Sequence, residues 1–217
     1  MPTRNNAILW PDSSNNAAYR WGGDGSYGAI VDHSSTKLWA LSSNGQGGSS
    51  WSPKDPVNLG VFDQIYAGVG GASATCDRTS YYVGGFGTKA SDIRLSDTVF
   101  GKSGLSLPGV LSYEMDALTW SNDSTAGLND HGVSKYQKAA CVDGGSRTSS
   151  LLLMGGQMTG QSSALDSASS YSSFQNITIY NPVDKTWHYQ QTTGDAPPAK
   201  QFFCALTSRS MNSTYEM

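Results

Sequence analysis

The chain has 217 residues, with 14 Lys and Arg against 17 Asp and Glu, and a formal net charge of −3 at pH 7. Charged residues make up only 14% of it, which excludes a charge-stabilised coiled coil, and 11% aromatic residues exclude wholesale disorder. The basic residues are scattered singly, so no nucleic-acid-binding face is indicated, and the longest apolar run, 151–154, is too short to cross a bilayer.

Four-stranded units are predicted one after another, because short apolar segments alternate with turn residues and no segment has sustained helical periodicity. The approximate units are 1–61, 62–135 and 136–199, with the start of a further unit at 200–217. The predicted strands are 62–67 or 72–76, then 80–83, 110–113 and from 118 in the second unit; 138–142, 151–154, 176–180 and 186–190 in the third; and 202–206 in the next.

The units carry the same marks in the same order: an apolar segment, a glycine pair and then a tryptophan. The marked residues are the pairs Gly22 and Gly23, Gly84 and Gly85, Gly155 and Gly156; the tyrosines Tyr113 and Tyr180; and the tryptophans Trp51, Trp120 and Trp187. Glycine pairs alone are expected by chance in a chain with 25 glycines, so the ordered alternation is the signal. Repeated four-stranded units with such marks are typical of β-propeller blades.

This pattern resembles the kelch repeat, and several stretches resemble the secreted kelch-repeat proteins of fungi in particular. Those stretches are 8–12, 107–111, 177–182 and 193–205. The pattern departs from the family at Lys200, where Arg is usual, and at Trp39, which replaces the usual Tyr. The resemblance implies an all-β fold: an incomplete kelch-type β-propeller of the galactose oxidase-like superfamily, with about three four-stranded blades and the start of a fourth over 1–217.

The resemblance also implies export, with a location that is extracellular or at the cell surface. A propeller closes with four to eight blades, so we expect this chain to be a fragment or the product of a shortened gene model. Its N-terminus shows no apolar signal segment. The candidate N-glycosylation sites Asn122, Asn176 and Asn212 are about as many as chance gives.

The chain's three cysteines leave two interpretations open. One is a single disulfide with one free thiol, and the other is three buried thiols. Spacing alone cannot pair Cys76, Cys141 and Cys204, because no C-x-x-C motif is present.

No catalytic residue, metal ligand or cofactor is predicted. The three histidines, His33, His131 and His188, have no partner at metal-ligand spacing, and the ligand positions of the copper radical oxidases cannot be matched. Loop aspartates such as Asp12, Asp24 and Asp92 are interpreted as turn formers. The glycine pairs, Tyr113, Tyr180 and the three marked tryptophans are assigned structural roles, the tryptophans by packing between the layers.

The long loops between the second and third strands of each unit are the predicted binding face. They cover about 24–37, 86–108 and 157–175, and they emerge at the same end as the links between units. Long loops on a rigid scaffold commonly carry recognition. The candidate residues there are Tyr27, His33, Phe86, Phe100 and Tyr171. A competing interpretation makes 161–173, which is rich in Ser and Ala, a filler loop.

Together these features favour a non-catalytic kelch β-propeller scaffold for protein or glycan interaction, and we expect it to be secreted or at the cell surface. Two alternatives stay open: a fragment of a propeller-based carbohydrate-active enzyme of the oxidase type, and a cytosolic kelch scaffold. The expected partner is a protein or glycan ligand, with no nucleic acid and no membrane-spanning segment in this chain.

Overall fold

The computed structural model describes residues 3–30, 37–128, 132–143, 149–158, 171–205, 208–209 and 215–216. Within these ranges the fold is all-β, with two short helices, α1 (Leu59–Phe62) and α2 (Phe100–Ser103). The described strands are, in chain order, β1 (Ile8–Asp12), β2 (Ala17–Trp21), β3 (Leu38–Ser43), β4 (Ser49–Lys54), β5 (Ala72–Cys76), β6 (Thr79–Val83), β7 (Phe86–Gly87), β8 (Leu105–Ser106), β9 (Val110–Glu114), β10 (Thr119–Asp123), β11 (Ser134–Lys135), β12 (Lys138–Asp143), β13 (Ser149–Met154), β14 (Gln157–Met158), β15 (Asn176–Asn181), β16 (Thr186–Gln191), β17 (Ser208–Arg209) and β18 (Tyr215–Glu216).

Three antiparallel four-stranded sheets follow one another along the described chain. Sheet I has the order β1-β2-β3-β4, sheet II the order β5-β6-β9-β10, and sheet III the order β12-β13-β15-β16. Each sheet is therefore a meander in which successive long strands are neighbours. The remaining short strands pair as β7 with β8, β11 with β14 and β17 with β18. The all-β class and the succession of four-stranded sheets are confirmed.

Of the two alternatives predicted for the first strand of the second unit, 72–76 is a strand and 62–67 is a link that packs against a sheet. The segment predicted as a strand at 202–206 is also a link over its described residues. Residues 62–67 contain the end of α1 and then coil, and the first strand of sheet II is β5. Phe62 and Ile65 lie in this link, and their apolar side chains are buried in a hydrophobic core and not on a strand. The strand predicted at 202–206 is likewise absent over 202–205, where the Phe203 ring contacts the Phe174 ring at 5.2 Å between centroids. Apolar periodicity cannot distinguish such a buried link from a strand.

Sheet II lies between sheets I and III, and an apolar core fills each of the two gaps. The core between sheets I and II is rich in aromatic rings, among them Trp10, Trp21 and Tyr113. The core between sheets II and III is more aliphatic, with Val110 and Leu151 fully buried. The first strand of sheet II, β5, contacts the first strands of both neighbouring sheets.

The last residue of a first strand joins its sheet to the next sheet, by an ion pair at one junction and by a disulfide at the other. Asp12 is the last residue of β1, and its buried carboxylate forms a salt bridge with Arg78 in the turn after β5. Cys76 is the last residue of β5, and it forms a disulfide with Cys141 on β12. Cys204 is an exposed free thiol, so the cysteines form one disulfide with one free thiol. Asp12 also accepts from the Asn15 N–H at 3.2 Å, which is the turn-forming role expected of it.

The glycine pairs end the second strand of each sheet and contact the link that follows that sheet. The second glycine donates its N–H to a carbonyl of that link: Gly23 to Gly68 at 3.1 Å, Gly85 to Ser134 at 2.6 Å and Gly156 to Lys200 at 2.9 Å. Gly84 has a φ of +70°, and a Cβ there would lie 2.3 Å from the Ser134 carbonyl oxygen. Positive φ and close backbone approach together require glycine at this junction.

The three marked tryptophans have different environments. Trp120 is only 2% exposed, and its ring lies 5.4 Å from that of Trp21 and 5.2 Å from that of Phe62, between sheets I and II. Trp187 is half-buried against Tyr180, at 4.7 Å between centroids, on the side of sheet III that faces sheet II. Trp51 is half-buried on β4, on the side of sheet I turned away from sheet II, so our expectation of packing between two layers is not met there within the described residues.

Truncation of these tryptophans should therefore have unequal costs. Trp120→Ala should lower the free energy of unfolding by about 3–5 kcal/mol, because a large buried ring leaves a cavity. Trp51→Ala should cost roughly 1–2 kcal/mol, since its ring is only half-buried. Urea denaturation in dilute solution, followed by far-UV circular dichroism, measures both values. Equal losses in the two variants would contradict this assignment.

Acid should weaken the link between sheets I and II. Burial of the Asp12 carboxyl opposes ionisation, but hydrogen bonds from Arg78 and Asn15 hold its pKa below the ordinary value of 3.8. A lowered pKa means that the link contributes stability above about pH 3.8 and loses it as the pH falls through the folded-state pKa. Asp12→Asn should thus be less stable than the wild type at pH 7, with the difference shrinking below pH 3.8 in denaturation curves. A difference that is constant with pH would refute the role of the carboxylate charge.

Candidate functional site

The long loops and the links between sheets meet at one end of the sheets. Phe86, just after the second strand of sheet II, pairs with Val69 of the link before it, and β11 pairs with β14. The Gly25 N–H donates to the Ala90 carbonyl at 2.7 Å, which joins the long loops of sheets I and II. We call the surface formed by the described residues of 23–30, 65–71, 85–108 and 132–137 the loop face.

Two adjoining clefts open on the loop face, and we call them together the double cleft. The first has a volume of about 440 Å³ and is bounded by the loop of Tyr27 and by Thr88. The second has a volume of about 550 Å³ and extends toward Ser73 and Lys138, on the first strands of sheets II and III. Both clefts are lined by the same three residues, which are Asn6, Asp24 and Phe86.

Aromatic rings form one wall of the double cleft. Phe86 is largely buried and meets the Tyr136 ring edge-to-face, at 5.9 Å between centroids. Phe202 also packs against Tyr136, at 4.4 Å between ring centroids, and remains 72% exposed. Exposed rings of this kind provide a flat apolar surface beside polar groups, which is the common composition of ligand pockets.

Polar groups of different kinds face the rings. The pKa of the half-buried Asp24 carboxyl is raised by burial, and the positive charge of Arg4 offsets part of that rise. The pKa of Tyr136 is raised by burial and, to a lesser degree, by the negative charge of Asp24. With Lys138 and the Asn6 amide, the double cleft offers both donors and acceptors of hydrogen bonds.

The backbone around Asp24 is held by several hydrogen bonds. The Asn5 and Asp24 main chains bond to each other in both directions, at 2.9 and 2.8 Å. The Arg4 guanidinium donates to the carbonyls of Gly23 at 2.8 Å and Ala90 at 3.1 Å. These contacts hold the two backbone segments that carry Asn6 and Asp24 against each other, so the backbone of this wall of the double cleft is preorganised.

An ion pair with a buried carboxylate holds the link before sheet II to the long loop of that sheet. Asp92 is fully buried, accepts from the Ala67 N–H at 2.8 Å and pairs with Arg94 at 2.6 Å. The Arg94 guanidinium lies 4.8 Å above the Tyr66 ring and also donates to the carbonyl of Ile65. Asp92 caps the turn at Ile93–Leu95 as expected, but its contacts with the link were not foreseen, because nothing in the local sequence marks them.

The predicted binding residues are only partly brought together. Tyr27 and Phe86 line the double cleft, Tyr27 fully exposed and Phe86 mostly buried. Phe100 is half-buried on α2 and lines neither cleft. Tyr171 is half-exposed and lines a separate cavity of about 360 Å³ beside sheet III. His33 lies outside the described residues.

The candidate glycosylation sites and the histidines are either exposed or outside the described residues. Asn122 on β10 and Asn176 on β15 are exposed, whereas Asn212 and His131 lie outside the described residues. His188 is exposed on β16, with a ring nitrogen 3.1 Å from the Thr186 hydroxyl. In the part of the chain that the structure describes, no three His, Cys, Asp or Glu side chains are grouped to hold a metal ion. No described helix is long and apolar enough to cross a membrane.

Comparison of the chain with protein-family models and with curated proteins finds no match. The kelch resemblance therefore rests on the residues of this sequence alone.

Asp24 should make the folded state less stable as it ionises. Its raised pKa means that the folded protein holds this proton more tightly than the unfolded chain does, so stability falls as the pH rises from 3.8 through the folded-state pKa. Asp24→Asn should remove this loss and be more stable than the wild type at pH 7. Thermal unfolding between pH 3 and 7 tests it, with the exposed Asp55→Asn as the matched control. If both variants showed the same dependence of stability on pH as the wild type, the destabilising role of the Asp24 charge would be contradicted.

Proposed function

We propose that this chain is a non-catalytic, kelch-type β-propeller scaffold that binds a protein or glycan ligand in its double cleft, outside the cell. The observation that carries the proposal is the double cleft itself, where the exposed Phe202 ring and the Asp24 carboxyl line one space on the loop face. Binding of a polar ligand with an apolar side needs this combination of a flat ring and hydrogen-bonding groups.

The repeated geometry of the three sheets supports the propeller part of the proposal. Each sheet is a four-stranded meander. In each, the second glycine of the pair donates its N–H to a carbonyl of the link that follows the sheet. The first strands lie side by side, since β5 contacts both β1 and β12. Blades arranged around an axis place their first strands innermost, and the second cleft lies against those strands.

The disulfide supports the extracellular part of the proposal. Cys76 and Cys141 join sheets II and III across a buried core. Structural disulfides persist in oxidising compartments and are rare in the cytosol, which favours the secreted interpretation over a cytosolic scaffold. The exposed positions of Asn122 and Asn176 are compatible with glycans there.

The test is a binding screen of the purified chain against arrays of soluble oligosaccharides and of peptides, followed by titration calorimetry on any hit. Phe202→Ala should weaken binding about tenfold or more, because it removes the exposed ring of the cleft wall. Asp24→Asn should weaken binding of ligands that donate hydrogen bonds. Phe100→Ala is the matched control, since this phenylalanine lies outside the double cleft.

Three results would overturn the proposal. No binding to any member of either array removes the scaffold function, and equal weakening by Phe100→Ala and Phe202→Ala removes the double cleft as the site. Stoichiometric copper in the purified protein, measured by atomic emission, would favour the oxidase alternative instead.

A further inference from the structure

Both internal sheet–sheet contacts are built in the same way. The last strand of a sheet carries its tryptophan on the side that faces the preceding sheet: Trp120 pairs with Tyr113 across β10 and β9, and Trp187 with Tyr180 across β16 and β15. Tyr113 and Trp120 lie in the core shared with sheet I, and Tyr180 and Trp187 pack in the core shared with sheet II. Each sheet thus has one side that offers a tryptophan and one side that receives the next.

Sheet I has a tryptophan-bearing side that no described sheet covers. Trp51 on β4 pairs with Leu41 on β3, and Leu41 pairs with Ala18 on β2. This row alternates with the row of Trp10, Tyr19 and Ala40, which is buried against sheet II, so it points the other way. Leu9, on the same side, is 60% exposed. We call Leu9, Leu41 and Trp51 the outer face of sheet I.

Sheet III has a receiving side that is also uncovered by any described sheet. Leu152 on β13 pairs with Ile179 on β15, and Ile177 lies two residues earlier on the same strand. These three alternate with Leu151, Leu153 and Tyr180, which are buried against sheet II, so they point away from it. All three are only half-buried. We call Leu152, Ile177 and Ile179 the outer face of sheet III.

We propose that the outer face of sheet I binds the outer face of sheet III of a second copy of this chain, head to tail. The two faces are the two halves of the contact that sheets I and II, and sheets II and III, already make within one chain. Apolar side chains left half-exposed on both faces gain by mutual burial, at roughly 25 cal/mol per Å². A contact between two different faces is heterologous, so copies close into a ring or extend as a chain.

The links between sheets support the same pairing of the two outer faces. The link before sheet II covers the edge of β10, where the Asn58 side chain donates to the Trp120 carbonyl at 2.6 Å and accepts from its N–H at 2.9 Å. The link before sheet III contacts β16, where the Tyr189 hydroxyl donates to the Leu128 carbonyl at 2.6 Å. The segment 192–200 follows sheet III as these links follow their sheets, and it lines a cavity together with Ile177 of the outer face. In the proposed assembly it would cover the edge of β4 of the second copy.

Sedimentation of the whole chain tests this assembly, which is independent of ligand binding in the double cleft. The wild type should form species of at least twice 23.0 kDa. Trp51→Lys blocks the outer face of sheet I, and Ile179→Lys blocks that of sheet III, so each variant alone should sediment as a monomer. Val183→Lys is the matched control, because Val183 is 65% exposed in the turn between β15 and β16 and lies on neither outer face.

An equimolar mixture of the two blocked variants gives the decisive result. Each retains the face that the other has lost, so the mixture should form a species limited to two chains. Leu41→Lys, at a half-buried position of the same outer face that lines neither cleft, repeats the test of sheet I if Trp51→Lys fails to fold by circular dichroism. A wild type that is monomeric at every concentration, blocked variants that still assemble, or a mixture of folded variants that stays monomeric would each overturn the proposal.

Discussion

The hydrogen bond from the second glycine of each pair to the link of the next sheet is the contact on which the remaining structure depends. It ties the end of a second strand to a residue that stands the same distance before the next first strand, Gly68 before β5 and Ser134 before β12. Successive sheets are therefore held at the same offset, which lets their side chains interdigitate in two separate cores. A Cβ at Gly84, next to the donor Gly85, would lie 2.3 Å from the Ser134 carbonyl oxygen, so the contact requires a residue without a side chain at position 84.

Equivalent positions of the repeat form different kinds of bond between sheets, although the sheets themselves have the same topology. The last residue of the first strand joins the next sheet by an ion pair at Asp12 and by a disulfide at Cys76. Only the ion pair responds to acid, and only the disulfide responds to reductant. The two links hold sheets I, II and III together near their first strands, which form the floor of the second cleft. A rigid floor lowers the entropy that a ligand must remove on binding.

The double cleft combines residues that the sequence pattern predicted with residues that it did not. Tyr27 and Phe86 were expected on the loop face because they are aromatic residues in the long loops between second and third strands, and both line the double cleft. Asn6, Tyr136, Lys138 and Phe202 line it too, yet they come from segments far apart in the sequence. No local pattern marks them, since their common feature is the space that three linked sheets enclose. Phe100 has the same residue type and a loop position, but α2 carries it outside both clefts.

The sequence by itself determined the all-β class, the four-stranded units and most of the strand positions, because apolar alternation and turn residues are local signals. It also placed the glycine pairs and tryptophans, whose spacing repeats with the units. Tertiary structure decided which apolar segments are links, as at 62–67, because burial by a neighbouring sheet is not encoded in periodicity. It also decided that Cys76 pairs with Cys141 and that Trp120 is buried while Trp51 is half-exposed. Those outcomes depend on which faces meet, and only the order of the sheets in space determines that.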